Sequence, residues 1–232
     1  MTRKPRPIID LLVSIVIPSV VLMKFSDESD LGPVGALIVA LAFPIIWGLY
    51  ELIRYKVTNY IALLGLVSVV LTGSIGLFQL DTQWLAIKEA AIPGIIGIVV
   101  LATAQMGKPL IKTLLYNPMV LDTDKINQTL QSKGCDRAFD GSLLNATYML
   151  SGTFFFSSLM NYLLAKWIVA SPAGSPAFNE ELGQLTLISY PMIAIPSMLM
   201  MLAIFYFLWR SIHGLTGMSF NEMLAPALRE DK

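Results

Sequence analysis

Cys135 is the sole cysteine and His213 the sole histidine among 232 residues. That scarcity excludes an internal disulfide and any Cys/His cluster for zinc or iron–sulfur binding. Charge is sparse as well. Only 14% of residues are Asp, Glu, Lys or Arg, and the 16 basic residues are balanced by 16 acidic ones. No net positive field gathers nucleic acid, and no acidic excess points to a solvated tail. Catalytic signatures are missing too: there is no His-Glu-x-x-His, Gly-x-Ser-x-Gly, phosphate-binding loop, dinucleotide fingerprint or heme-attachment motif. The expectation is a protein that is not an enzyme, takes no cofactor or metal and has no nucleic-acid partner.

What is abundant is apolar surface. Hydrophobic residues make up 55% of the chain and the mean hydropathy is +0.67, a composition that needs lipid as its solvent. A helix crossing ~30 Å of hydrocarbon needs about 20 residues. Uncharged runs of that order predict spans at about 7–23, 33–53, 58–79, 87–106, 144–168 and 186–209. The fold expected is therefore an all-α membrane protein: residues 1–232 form a single integral domain, a bundle of six transmembrane helices. Arg3, Lys4 and Arg6 precede the first run as in a signal peptide, but Met23 to Asp27 offers no small-x-small cleavage site, so an uncleaved anchor is expected.

Basic residues set the orientation. With both termini cytoplasmic, Arg3, Lys4, Arg6, Arg54, Lys56, Lys108, Lys112, Lys125, Lys133, Arg137, Arg210, Arg229 and Lys232 all fall inside. Lys24, Lys88 and Lys166 alone fall outside. This alternation obeys the positive-inside rule, and an odd number of spans would break it. Trp47, Tyr50, Tyr55 and Tyr60 gather at one level, as an aromatic belt does. The long inner loop, 108–140, begins with a mixed basic and apolar stretch suited to a short surface helix. A second helix is expected to follow, capped by Asp122 or Asp124 and ending before Gly134.

Polar residues inside apolar spans are where membrane proteins keep their chemistry. Lys88 and Glu89 lead this group, followed by Asp10. Two readings of Lys88 and Glu89 stand. In one, Lys88 snorkels to the outer interface, one membrane thickness from Lys108, while Glu89 lies near a helix amino terminus. In the other, Glu89 occupies a water-filled vestibule, paired with Lys88 or another helix, and couples its protonation to substrate movement. Asp10 follows Pro7 and fits the first turn of a helix. Pro18, Pro44, Pro93 and Pro196, with Pro191, are candidate helix kinks. Asn145, Thr147, Ser151, Thr153, Ser157, Ser158 and Asn161 form a polar stripe suited to bonding a neighbouring helix.

Trp84-Leu85-Ala86-Ile87-Lys88, an apolar span, then Lys108-Pro109-Leu110-Ile111 make a distinctive series. With Arg54-Tyr55-Lys56-Val57 and the span holding Gly73 and Gly76, it resembles the intracellular septation protein A family of bacterial inner-membrane proteins. The resemblance covers roughly residues 40–116. It implies a multi-pass protein of the bacterial inner (cytoplasmic) membrane, associated with the cell envelope and division, that acts through membrane partners. Those partners would be the lipid bilayer itself, a second copy of the chain or other envelope proteins. A small proton-coupled secondary transporter or exporter of undefined small-molecule substrate is the alternative, motivated by the kinked spans and by Lys88, Glu89 and Asp10.

Overall fold

The computed structural model of the protein describes residues 11–55, 60–116, 118 and 121–225. Asp10, and the start of the first expected span at residue 7, lie outside the described residues, as do the side chains of Tyr55 and Tyr60. Among the described residues there is no strand; the chain is a succession of helices. A π-helical turn, Leu12–Val16, runs into α1 (Ile17–Lys24), followed by α2 (Gly32–Tyr55), α3 (Tyr60–Leu77) and α4 (Gln83–Gln105). Then come α5 (Leu110–Leu114), α6 (Thr123–Ser132), α7 (Asp136–Ile168) and α8 (Pro176–Ser189). A second π-helical turn, Tyr190–Ala194, joins α8 to α9 (Ile195–Thr216), and α10 (Phe220–Met223) follows.

Among the described residues, three helical stretches are long and apolar enough to cross a membrane: Gly32–Tyr50, Gln83–Gln105 and the uninterrupted run Pro176–Thr216. Leu12–Lys24 and Val67–Leu77 are apolar but shorter. Large hydrophobic side chains such as Ile46, Ile95 and Met198 stand exposed on these elements, where water would penalise them and lipid would not.

Several helices outrun the spans read from hydropathy, because capping and not apolarity decides where a helix starts. Gln83 donates its backbone N–H to Asp81 Oδ1 at 2.9 Å, so α4 begins before the expected residue 87. Ser175 accepts from the Phe178 N–H, starting α8 ten residues ahead of the expected 186. Asp136 stands in the first turn of α7, so residues 136–140 are helical and not loop. Within the segment between α4 and α7 Asp122 is the cap, accepting from the Lys125 N–H at 3.1 Å, and Gly134 takes φ +65° beyond the end of α6.

The prolines divide into two kinds. Pro44 and Pro93 sit inside α2 and α4. Pro18 and Pro196 instead stand two residues after the two π-helical turns end, and Pro191 lies within the second. The wider turn relieves the clash of a proline ring with the carbonyl four residues back, so the strain is absorbed by winding.

The chain forms two compact units. The first, residues 1–91 and 159–194, has a core of Leu22, Leu37, Leu85, Leu164, Phe178 and Leu182. Its helices approach closely where side chains are small. Leu41 lies over Gly73 and Leu37 over Gly76, which is how membrane helices gain contact without a hydrophobic driving force. Asn179, fully buried, donates to Ser26 Oγ at 3.0 Å and to the Pro33 carbonyl at 2.7 Å. Glu181 accepts from the Ala170 N–H, the Ser171 N–H and the Ser171 hydroxyl, tying down the turn before α8.

The second unit, residues 92–158 and 195–232, is built round Val100, Ile111, Ile126, Leu130, Leu143 and Ile204. Of the polar stripe of α7, Ser151 Oγ donates to the Gly97 carbonyl at 3.0 Å, whereas Thr147 and Thr153 return their protons to carbonyls of α7 itself; outside the stripe, Ser211 Oγ donates to Ser142 Oγ at 2.5 Å. The segment between α4 and α7 folds against α9. Lys133 Nζ donates to the Thr216 carbonyl at 2.6 Å, a cation at a helix carboxyl terminus where the dipole favours it. Asp122 N–H donates to the Met223 carbonyl, beside a bridge between Leu121 and Leu224.

The short helix α10 is closed by a capping box between Ser219 and Glu222. The Ser219 N–H and hydroxyl, with Lys125 nearby, hold the Glu222 carboxyl below the ordinary carboxylate range. A depressed folded value means this bond contributes above the unfolded pKa and is lost as pH falls through the folded one. Amide protection over residues 219–223, taken relative to the intrinsic exchange rate at each pH, is therefore expected to fall on acidification in the wild type, and Glu222→Gln should flatten that pH dependence. Burial, together with the charges of Asp124 and Asp122, pushes the Tyr116 phenol up. It therefore stays protonated and donates to Asn127 Oδ1 at 2.9 Å.

Candidate intramembrane charged site

Lys88 falls in the second turn of α4 and is only 8% exposed. A lysine there is costly unless every ammonium proton finds an acceptor. All three do. Nζ donates to Thr72 Oγ1 at 2.7 Å, to Ser68 Oγ at 3.1 Å and to Glu89 Oε1 at 2.6 Å. Ser68 and Thr72 stand four apart on α3 and so share one face of that helix. Thr72 spends its own proton on the Ser68 carbonyl at 3.0 Å, which leaves its oxygen lone pairs for the ammonium.

Glu89 is the neighbour of Lys88 in sequence, and adjacent helical residues ordinarily diverge. The long lysine side chain closes the gap, giving an ion pair with exposures of 8% and 27% for its two members. The ammonium is enclosed while the carboxylate keeps a route outward. Pro93 stands four residues after Glu89. It has no N–H to offer the Glu89 carbonyl, so the helix is weakened one turn from the pair.

Of the residues singled out by sequence, Lys88 and Glu89 are brought together. Lys88 does not snorkel outward: the earlier start of α4 at Gln83 places it inside the helix, against α3, and Asp81 takes the amino-terminal position that Glu89 was given. Asp10 lies outside the described residues. Lys108 and Pro109 form the corner between α4 and α5, and Leu110 and Ile111 begin α5, with Ile111 fully buried. Ser68 and Thr72 were missed. Their signal is the four-residue spacing of two hydroxyls in an apolar span, a pattern that equally serves ordinary helix packing.

Among the described residues no three His, Cys, Asp or Glu side chains converge as a metal site would need. A groove of about 480 Å³ beside Leu115, Phe205, Trp209 and Phe220 is lined by hydrophobic and aromatic side chains and has no charged residue in its walls. The features that remain define a class: among the described residues, an all-helical chain with three stretches long and apolar enough to cross a membrane and an ion pair whose ammonium is enclosed. The comparisons add no family to that class. No family model matches the chain, no curated protein is significantly similar to it, and no solved structure resembles it.

Proposed function

We propose that this protein is a six-span protein of the bacterial inner membrane, both termini cytoplasmic, working as a small proton-coupled secondary transporter through Lys88 and Glu89. The observation that carries this reading is the enclosed ammonium of Lys88, whose one anionic partner, Glu89, is the more accessible of the two. Protonating Glu89 removes the negative half of the pair. Lys88 is then held by hydroxyls alone and becomes a cation available to an anionic group of a solute. Releasing the proton restores the pair and expels that group. Such an exchange links proton movement to solute movement at a single point.

The span count rests on the balance of basic residues and on three long apolar helices, with α1, α3 and α7 supplying the rest. Reporter tags after residues 30, 82, 134 and 174 test it. The tag at 134 should report the cytoplasm and the other three the opposite side; any exchange among them would end the six-span arrangement.

Function is tested in proteoliposomes that report internal pH while candidate organic anions are added outside. A solute that moves protons with the wild-type protein should do so at least about tenfold more slowly with Glu89→Gln, a loss of ~1.4 kcal/mol. Unchanged flux in that variant would remove the proposal.

A second reading, an envelope- and division-associated protein that acts by binding membrane partners, draws on the resemblance to septation protein A and on the folded inner segment. The apolar residues of α6, Ile126 and Leu130, are already buried within the chain. A partner would thus meet the polar face of that segment. Replacing residues 123–132 with a flexible linker should abolish co-purification of envelope proteins; retention would count against this reading.

A further inference from the structure

Away from Lys88, three ionisable side chains share a space that nothing in the described chain neutralises. α4 ends at Gln105, Gly107 turns the backbone at φ +69°, and Pro109 leads into α5. This corner and the first turns of α7 enclose a cleft of about 430 Å³, whose lining includes Lys108, Lys112, Thr113 and Asp140. That volume falls within the ~300–1,000 Å³ typical of small-ligand sites.

Two ammonium groups and one carboxylate line the cleft, yet among the described residues none of the three has a side-chain hydrogen bond or an ion pair. Opposite charges that share a cleft without closing on each other suit a ligand carrying both signs. The surroundings add a second requirement. Met106 and Leu114, next in sequence to the lining residues Gly107 and Thr113, are 70% and 52% exposed, and Leu144 lies in the lining itself, so the ligand that fits is polar at one end and apolar at the other.

We propose that this cleft binds the headgroup of an aminophospholipid. The phosphate lies between Lys108 and Lys112, with the Thr113 hydroxyl as a further donor, and the primary ammonium lies on Asp140. The acyl chains run along Met106 and Leu114. An anionic headgroup without an amine would set its phosphate near an unanswered Asp140 carboxylate. A choline headgroup carries the positive charge but has no N–H to donate. Free phosphoethanolamine has the same polar groups and no chains, so the apolar margin distinguishes it from the lipid.

The test uses the full-length protein in detergent, titrated with phosphatidylethanolamine, phosphatidylcholine and phosphatidylglycerol of matched acyl chains, and with O-phosphoethanolamine. Native mass spectrometry reads bound lipid. Phosphatidylethanolamine should be retained about tenfold better than either other lipid, the worth of one charge-assisted hydrogen bond. Asp140→Asn should erase that preference over phosphatidylcholine. Lys108→Gln combined with Lys112→Gln should lower phosphatidylethanolamine retention about tenfold or more. All three side chains are exposed, so helical circular dichroism should be unchanged in every variant. Equal retention of the three lipids, tighter binding of phosphatidylglycerol, or a preference that survives Asp140→Asn would overturn the site. Displacement of lipid by equimolar O-phosphoethanolamine would overturn the assignment to a lipid.

Discussion

Replacing Lys88 with methionine, which keeps most of the side-chain length and removes the charge, is expected to destabilise the protein by about 1–3 kcal/mol. Three acceptors lose their donor at once: Thr72 Oγ1, Ser68 Oγ and Glu89 Oε1. The figure stays below that of a fully enclosed pair because Glu89 is 27% exposed and recovers some solvation on its own. It should show as a lower midpoint of thermal unfolding in detergent, followed by circular dichroism.

The same site makes a second, sharper comparison. Adding Glu89→Gln to Lys88→Met removes the carboxylate that the first change stranded, so the double variant should be more stable than Lys88→Met alone. Thr72→Val should cost less than Lys88→Met, on the order of 0.5–1.5 kcal/mol. Its coupling to Lys88 in a double-mutant cycle should be non-zero, since the two groups are 2.7 Å apart. A Lys88→Met protein as stable as the wild type would mean the ammonium is not held as described.

Gly183→Ala is the other substitution expected to have a large effect, again about 1–3 kcal/mol. A β-carbon at 183 would stand 2.7 Å from Met23 Cγ and 2.9 Å from the Ser19 carbonyl oxygen. Met23 can turn aside. The Ser19 carbonyl belongs to the backbone of α1 and cannot, so α8 would have to shift away from α1. Met23→Ala should therefore rescue only part of the loss. Gly152→Ala in α7 is the matching control: its β-carbon would meet nothing within 4 Å, and the better helix former should be neutral or stabilising by up to ~1 kcal/mol. Equal midpoints for the two alanine variants would show that α1 and α8 are not packed so tightly.

How far such contacts can be read from the chain alone differs from feature to feature. The helical class and the apolar stretches 33–53 and 87–106 were visible because hydropathy is a sum over neighbouring residues; α2 contains the first and α4 all but the last residue of the second. A cap at Asp122 or Asp124 and the helix end before Gly134 were visible as well, since capping is local chemistry between residues three or four apart; the structure chose Asp122. Helix starts governed by a side chain beyond the apolar run, at Asp81 and Ser175, were not. Hydropathy carries no information about where a backbone N–H finds its acceptor.

The charged site divides in the same way. That a lysine and a glutamate interrupt an apolar run, with a proline four residues after the glutamate, is a property of the chain's order, and it singled out Lys88 and Glu89 at once. Which way the lysine turns is a different matter, because surface and interior are equally open to a flexible side chain until a neighbouring helix is in place. Ser68 and Thr72, 20 and 16 residues earlier, become partners only through the packing of α3 on α4. Periodicity and composition settle what is helical and apolar, for those are short-range properties; the enclosure of one ammonium by three acceptors is long-range and exists only once the helices have met.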